Sequence, residues 1–330
     1  MNRILLSVVC AIGLLFTAGP AEAAKTLRMA GMFAPDHFMT KMQREFAKNV
    51  EERTNGELKI RVYPANQLGD YVQVYEELRR NTLDLALVTV PSQFDPRLEA
   101  TYMHYMATNF DEAKKIYGAG SPLYKLMEEL HDALGVKFLG FSVEGFGGYG
   151  VSKLPDNLET PGAPKNILLR SAPMAVFQVP VQDQGYSHVA SPFAELHTTL
   201  QTRVVDGWTG ATPITAYTMF RDVFKYWIKA NTFFENISYM MSKDTFEKLT
   251  PEQQQILVEE GIKISAKSME LAEQEELEAL KKMEEFGIKV IYLSDEQLKA
   301  FADFCREKSW PRLEERLTKP VIDMLRAAVQ

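Results

Sequence analysis

Thr26-Leu27-Arg28-Met29-Ala30 and, further along, Leu83-Asp84-Leu85-Ala86-Leu87-Val88-Thr89-Val90 are the runs that decide the fold. Between them lie an amphipathic stretch from Thr40 to Arg53, a β-branched run from Glu57 to Tyr63 and a second amphipathic stretch from Tyr71 to Arg80. Short β-branched and apolar runs predict strands, and apolar residues spaced at three and four predict helices. The order is therefore β-α-β-α-β. Such alternation predicts a parallel sheet covered by helices on both faces, with ligands bound outside the carboxyl ends of its strands.

The theme returns further on, with strands expected over 136–143, 166–170, 187–190 and 204–207 and helices over 174–184 and 194–202. A chain of 330 residues exceeds one ordinary domain, so pattern and length together predict an α/β protein of two lobes. Thr250-Pro251-Glu252-Gln253 then supplies an N-cap, a proline at the first helical position and a capping-box glutamine. No breaker follows until Phe286-Gly287. About 36 residues at 1.5 Å each make a rod of ~54 Å, long enough to cross both lobes. Its apolar residues, among them Ile256, Ile264, Met269, Leu277 and Met283, keep no strict heptad, which argues for a scaffold helix rather than a coiled coil.

Composition is that of a globular protein, with 46% hydrophobic and 25% charged residues. Lys and Arg number 37 against 44 Asp and Glu, a net charge of -7 spread along the chain, so no basic field exists to hold nucleic acid. Asn2-Arg3, the apolar run Ile4 to Ala18 and Ala21-Glu22-Ala23 form a secretory signal with cleavage expected after Ala23, which places the mature protein in the periplasm. Removal of Cys10 with that segment leaves Cys305 without a disulfide partner.

One motif raises an alarm and fails on context. Gly145-Phe146-Gly147-Gly148-Tyr149-Gly150 matches a dinucleotide fingerprint, but Val151-Ser152-Lys153-Leu154-Pro155 continues as extended chain instead of opening a helix. The glycines are better explained as backbone passing close to a neighbouring element. His37, His104, His131, His188 and His197 show no metal-ligand spacing. Neither a catalytic set nor a cofactor is indicated.

Across almost all of the mature sequence, the chain resembles the solute receptors of tripartite ATP-independent periplasmic (TRAP) transporters, in the dicarboxylate-receptor branch. The residues that carry this are Val50-Glu51-Glu52-Arg53-Thr54-Asn55-Gly56, Tyr63-Pro64-Ala65-Asn66-Gln67-Leu68-Gly69, Ile167-Leu168-Leu169-Arg170, Phe193-Ala194-Glu195-Leu196, Val204-Val205-Asp206-Gly207 and the opening of the long helix. The resemblance implies the two-lobed periplasmic binding protein fold, with hinge strands and the long helix spanning both lobes. Residues 24–147 with about 236–275 would form lobe I, and 148–235 with about 276–330 lobe II. It also implies a small organic anion bound between the lobes, delivery to TRAP membrane subunits, and no enzymatic activity.

In that family an arginine at the place of Arg170 pairs with a ligand carboxylate, for which a guanidinium offers a rigid fork of donors. A second arginine common in the family is replaced here by Gly148-Tyr149, and an expected amide by Gly210. The pocket is thus expected to suit one principal carboxylate on an apolar or planar body lying on Trp208 or Phe193. Thr209, Tyr149, Phe33, His37 and Ser92 complete the expected wall, with Glu195 and Asp206 as framework groups. Two rival uses of such a cleft are an enzyme with Glu195 or His37 as base, and a receptor that signals to a sensor.

Overall fold

The computed structural model describes residues 24–329. The signal segment and its cleavage point after Ala23 lie outside the described residues. Among them the strands are β1 (Lys25–Gly31), β2 (Leu58–Tyr63), β3 (Leu85–Val88), β4 (Val136–Phe146), β5 (Tyr149–Val151), β6 (Leu168–Ser171), β7 (Ser187–Ala190), β8 (Gly207–Thr209), β9 (Tyr226–Lys229), β10 (Phe234–Ser242) and β11 (Lys289–Tyr292). They form one sheet in the order β2-β1-β3-β10-β4 and another in the order β11-β9-β5-β8-β6-β7. β1 runs parallel to β2 and β3, as the opening alternation predicts, and β6 runs parallel to β7 and β8.

Two short extended segments carry the chain between the sheets, and the long stretch from β10 to β11 crosses again. β4 ends at Phe146, Gly147 and Gly148 cross over, and β5 begins at Tyr149; residues 230–233 make the return from β9 to β10. The crossings are bonded to each other, Gly147 N to Phe233 O at 2.8 Å and Thr232 N to Gly147 O at 2.9 Å. A Cβ on Gly147 would stand 1.9 Å from Cε1 of Phe233. The glycine run is thus a place of close backbone approach, as its sequence context indicates.

The helix Pro251–Phe286 has the predicted bounds, with the Thr250–Gln253 capping box at its start and Gly287 at φ 97° as its stop. Gly261 lets it lie against β4, since a Cβ there would fall 2.2 Å from Leu139 O. Further along, Ser268 Oγ accepts from Val143 N at 3.0 Å, and Glu276 accepts from Phe146 N at 2.7 Å while pairing with Lys229 Nζ at 3.0 Å. One helix therefore touches both sheets and the crossing.

Two expectations change. The strand expected over 204–207 is Gly207–Thr209, with Val204 exposed in the turn before it. The chain after 276 does not stay with the second sheet. Trp310, Leu317, Val321 and Leu325 join the same apolar core as Leu123, Tyr117 and the first sheet, and Trp310 Nε1 donates to His104 O at 3.0 Å. The helix Asp295–Arg312 packs on the helix Ala175–Asp183, with Arg312 paired to Asp183, and the helices after it reach the apolar flank of lobe I. Cys305 is a buried free thiol.

Two histidines in lobe I set a pH dependence. The His104 ring lies among Phe177, Phe233 and Tyr105 with neither nitrogen bonded, and His131 stacks on Phe138 with only Nδ1 paired, to Tyr75 Oη at 2.7 Å. Burial pulls both well below the ordinary imidazole value, to about 3. The folded protein keeps them neutral while the unfolded chain protonates them below about pH 6.5. Their contribution is complete above that pH and falls, by about 1.4 kcal/mol per pH unit for each, as pH drops toward 3. Denaturant unfolding at pH 7 and pH 5 should show this loss, and His104→Phe should shed one group's share of the slope. An unchanged slope in the variant would refute the assignment.

Candidate functional site

The carboxyl ends of the strands converge on a cavity between the two sheets. Met32 and Phe33 follow β1, Thr89 follows β3, Ala172, Pro173 and Met174 follow β6, and Gly210 and Ala211 follow β8; all line it. This is the position that open α/β sheets give their ligands. Tyr71, Tyr102, Glu235 and Ile237 complete the lobe I side, and Arg170, Phe177, Phe193 and Thr215 the lobe II side. A water-sized sphere has about 50 Å³ in which to move inside, room for roughly four waters or a compact ligand.

Arg170 sits at the end of β6 and is 1% exposed. Its Nε donates to Ser191 O at 2.9 Å and Nη2 donates to the same carbonyl, which fixes the plane of the guanidinium. Nη1 has no hydrogen bond among the described residues and lies 3.7 Å from the point where a Cβ on Gly210 would be. No carboxylate comes within ion-pair distance of Arg170 among the described residues. Burial lowers its pKa to about 10, opposed by the more distant Tyr71 and Glu195. The guanidinium is still charged at neutral pH, with donors directed at the cavity.

The expected wall residues divide. Arg170, Phe33, Phe193 and Gly210 line the cavity. Trp208, expected as a surface for the ligand body, does not. It is 0% exposed, tilted on Phe220 at 5.5 Å and edge-on to Phe224 at 5.1 Å. Gly150, its partner across β5 and β8, leaves the room its ring fills. The second sheet needs that apolar bulk as core, so the place of Trp208 is corrected from wall to core. Tyr149 is likewise buried away from the cavity, 5.0 Å from the Tyr186 ring, and Thr209 is buried in β8.

His37 and Ser92 are buried structural groups outside the lining. His37 caps the helix Phe38–Arg53 through Nδ1, stacks on Phe33 at 4.3 Å, and places Nε2 3.2 Å from both Glu144 and Thr215. Ser92 accepts from Arg316, which also pairs with Glu99. The loop after β3 reaches the cavity with Thr89 instead.

Several lining residues carry little signal in sequence. Tyr71, Tyr102 and Phe177 look like ordinary core aromatics. Glu235 carries a signal, as a lone acid inside Phe233-Phe234-Glu235-Asn236-Ile237. Thr215 reaches across from lobe II, donating to the Glu144 carboxylate at 2.9 Å, and Val176 N donates to Glu99 at 3.2 Å. Together these bonds tie the two lobes over the cavity.

Two sheets, two bonded crossovers and a lined cavity between them define a two-lobed α/β receptor. The model of the bacterial extracellular solute-binding proteins, family 7 (DctP), matches residues 29–312, and the chain belongs to that family. An uncharacterised Haemophilus influenzae protein is 28% identical over 278 residues, 82% of each chain. The 2,3-diketo-L-gulonate-binding periplasmic protein YiaO of Escherichia coli is 26% identical over 305 residues, 88% of this chain and 89% of that one. A TRAP periplasmic solute-binding protein from Desulfovibrio salexigens, with bound orotic acid, shares the fold at TM-score 0.82 and 20% identity, over 92% of this chain and 98% of its own. The chain is a solute-binding protein of periplasmic type and not an enzyme. Among the described residues no helix is long and apolar enough to cross a membrane, and no cluster of His, Cys, Asp or Glu is placed to hold a metal.

Proposed function

We propose that this chain is the periplasmic receptor of a TRAP transporter for a small organic acid with one principal carboxylate on a compact, largely apolar or planar body. The observation that carries this reading is Arg170, a buried cation without a carboxylate partner whose free donors line the cavity. A ligand carboxylate accepts from Nη1 and its neighbours, and the desolvated surroundings strengthen the pair. Phe33, Phe177 and Phe193 offer ring surface to the rest of the ligand. The small volume and the lack of a second cation in the lining weigh against long sugar acids and dicarboxylates. The carboxylates named for YiaO and for the Desulfovibrio protein support an acid as the class.

Binding closes the lobes about the crossings at 147–148 and 230–233, with the ligand completing the charge balance of Arg170. Without it, a closed cavity leaves that cation buried and unpaired, which favours the open form. The closed shape is what the membrane subunits receive. Export by the N-terminal segment, with cleavage after Ala23, belongs to the same reading.

Mass spectrometry of the exported protein tests these points together. The intact mass should correspond to a chain starting at Ala24, and denaturation should release a small monocarboxylic acid. In calorimetry, aromatic or keto monoacids should bind more tightly than succinate or malate. The reverse order would overturn the monocarboxylate reading.

A further inference from the structure

The cavity carries a second unpaired charge-bearing group, on the side opposite Arg170. Glu235 lies in β10, and the alternation of that strand turns Glu235 and Ile237 toward the cavity they both line. No lysine, arginine or histidine stands within 4 Å of its carboxyl among the described residues, and its side chain makes no hydrogen bond to another side chain there. Glu144, its nearest acidic neighbour, is already engaged by His37 and Thr215. Tyr102, close enough to feel the charge of Glu235, lines the same cavity, as do Phe33 and Phe177. The lining thus holds a cation without an anion on the lobe II side and an acid without a cation on the lobe I side, together with several aromatic rings.

We propose that the solute is a zwitterion, its carboxylate held by Arg170 and a cationic nitrogen at its other end held by Glu235 among the faces of Tyr102, Phe33 and Phe177. This rests on the carboxylate reading above and adds the second pole. A half-buried acid whose protein partner is the Asn236 N–H gains from a cation in the cavity, and a ligand that carries both complements satisfies both sides at once. Aromatic faces attract a cation, most strongly where water is excluded. A second carboxylate at this end would meet Glu235 instead, and a plain hydrocarbon would leave it unmatched. Burial and the neighbouring Glu144 raise the Glu235 pKa well above the ordinary carboxylic value, and a bound cation would restore its ionised form. The ligand class is that of compact amino acids and betaines.

Matched pairs of probes differing only at the nitrogen give the test: glycine betaine against 3,3-dimethylbutyrate, proline against cyclopentanecarboxylate, and 4-aminobutyrate against pentanoate. Each is titrated into the full exported protein by calorimetry, with thermal shift in parallel. At least one nitrogen-bearing member should bind ten or more times tighter than its partner, and Glu235→Gln should remove that preference by weakening the nitrogen-bearing member. If the nitrogen-free acids bind as tightly or better in every pair, or if no pair binds at all, the zwitterion proposal is overturned. Prolinamide separates the two readings. If it binds as tightly as proline, the carboxylate role of Arg170 fails; if proline binds, prolinamide does not and cyclopentanecarboxylate equals proline, only the role of Glu235 fails.

Discussion

Arg170→Ala should weaken binding of the solute by about thirtyfold or more while leaving the ligand-free protein nearly as stable as before. The two halves of this expectation have separate causes. Truncating one partner of a desolvated charge pair costs about 2–5 kcal/mol, because the ligand carboxylate must then enter a largely apolar cleft with nothing to balance it. In the ligand-free protein, Arg170 is itself a buried charge whose protein hydrogen bonds all end on the Ser191 carbonyl. Removing it relieves a desolvation cost and forfeits about 1 kcal/mol of hydrogen bonding, so little net change remains. Arg170→Lys keeps the charge but loses the fork anchored on Ser191 and should fall between the two. Calorimetry with the co-purifying acid, paired with denaturant unfolding, reads both quantities. Full affinity in the alanine variant would remove the guanidinium from the binding scheme.

Gly147→Ala should be among the most damaging single methyl additions in the described residues. The added carbon falls 1.9 Å from a Phe233 ring carbon, far inside contact distance. Phe233 has no free direction in which to turn, since it is fully buried against His104 at 5.8 Å and Phe177 at 4.9 Å. Retreat of the backbone would break the paired hydrogen bonds between the crossings. We expect a loss of about 3 kcal/mol or more, the upper range for overpacking a rigid site. The loss reads as a lower denaturation midpoint at unchanged m-value. Phe233→Leu in the same chain should recover part of it, and a fully stable single variant would mean the crossing is looser than its distances state. Phe177 also lines the cavity, so the displacement should reach the binding site as weaker solute affinity.

Much of this architecture is legible in the sequence because local rules and global packing agree. The β-α-β-α-β opening, the long helix with both its caps, and the glycines at 145–150 each reflect a constraint that acts over a few residues. Arg170 is legible through the family resemblance, and the structure places it in the cavity. Trp208 was misplaced because a large ring next to a binding motif reads alike whether it faces a ligand or fills a core. What separates the cases is Gly150, which lies far away in sequence and opposite only after the sheet has formed. Tyr102 and Thr89 carry no local mark for the same reason. Each belongs to a different strand or turn, and only the closing of the lobes brings them to one space.

The helix Pro251–Phe286 works as a graduated rule laid across the molecule. Its marks are Gly261 at β4, Ser268 at the Val143 amide, and Glu276 at the Phe146 amide and Lys229. Every residue advances such a rod by about 1.5 Å and turns it by about 100°. Side chains facing solvent can drift freely, whereas one residue gained or lost between those marks would swing the later ones off their partners. The count of amino acids between Gly261 and Glu276 is therefore more tightly held than most of their identities.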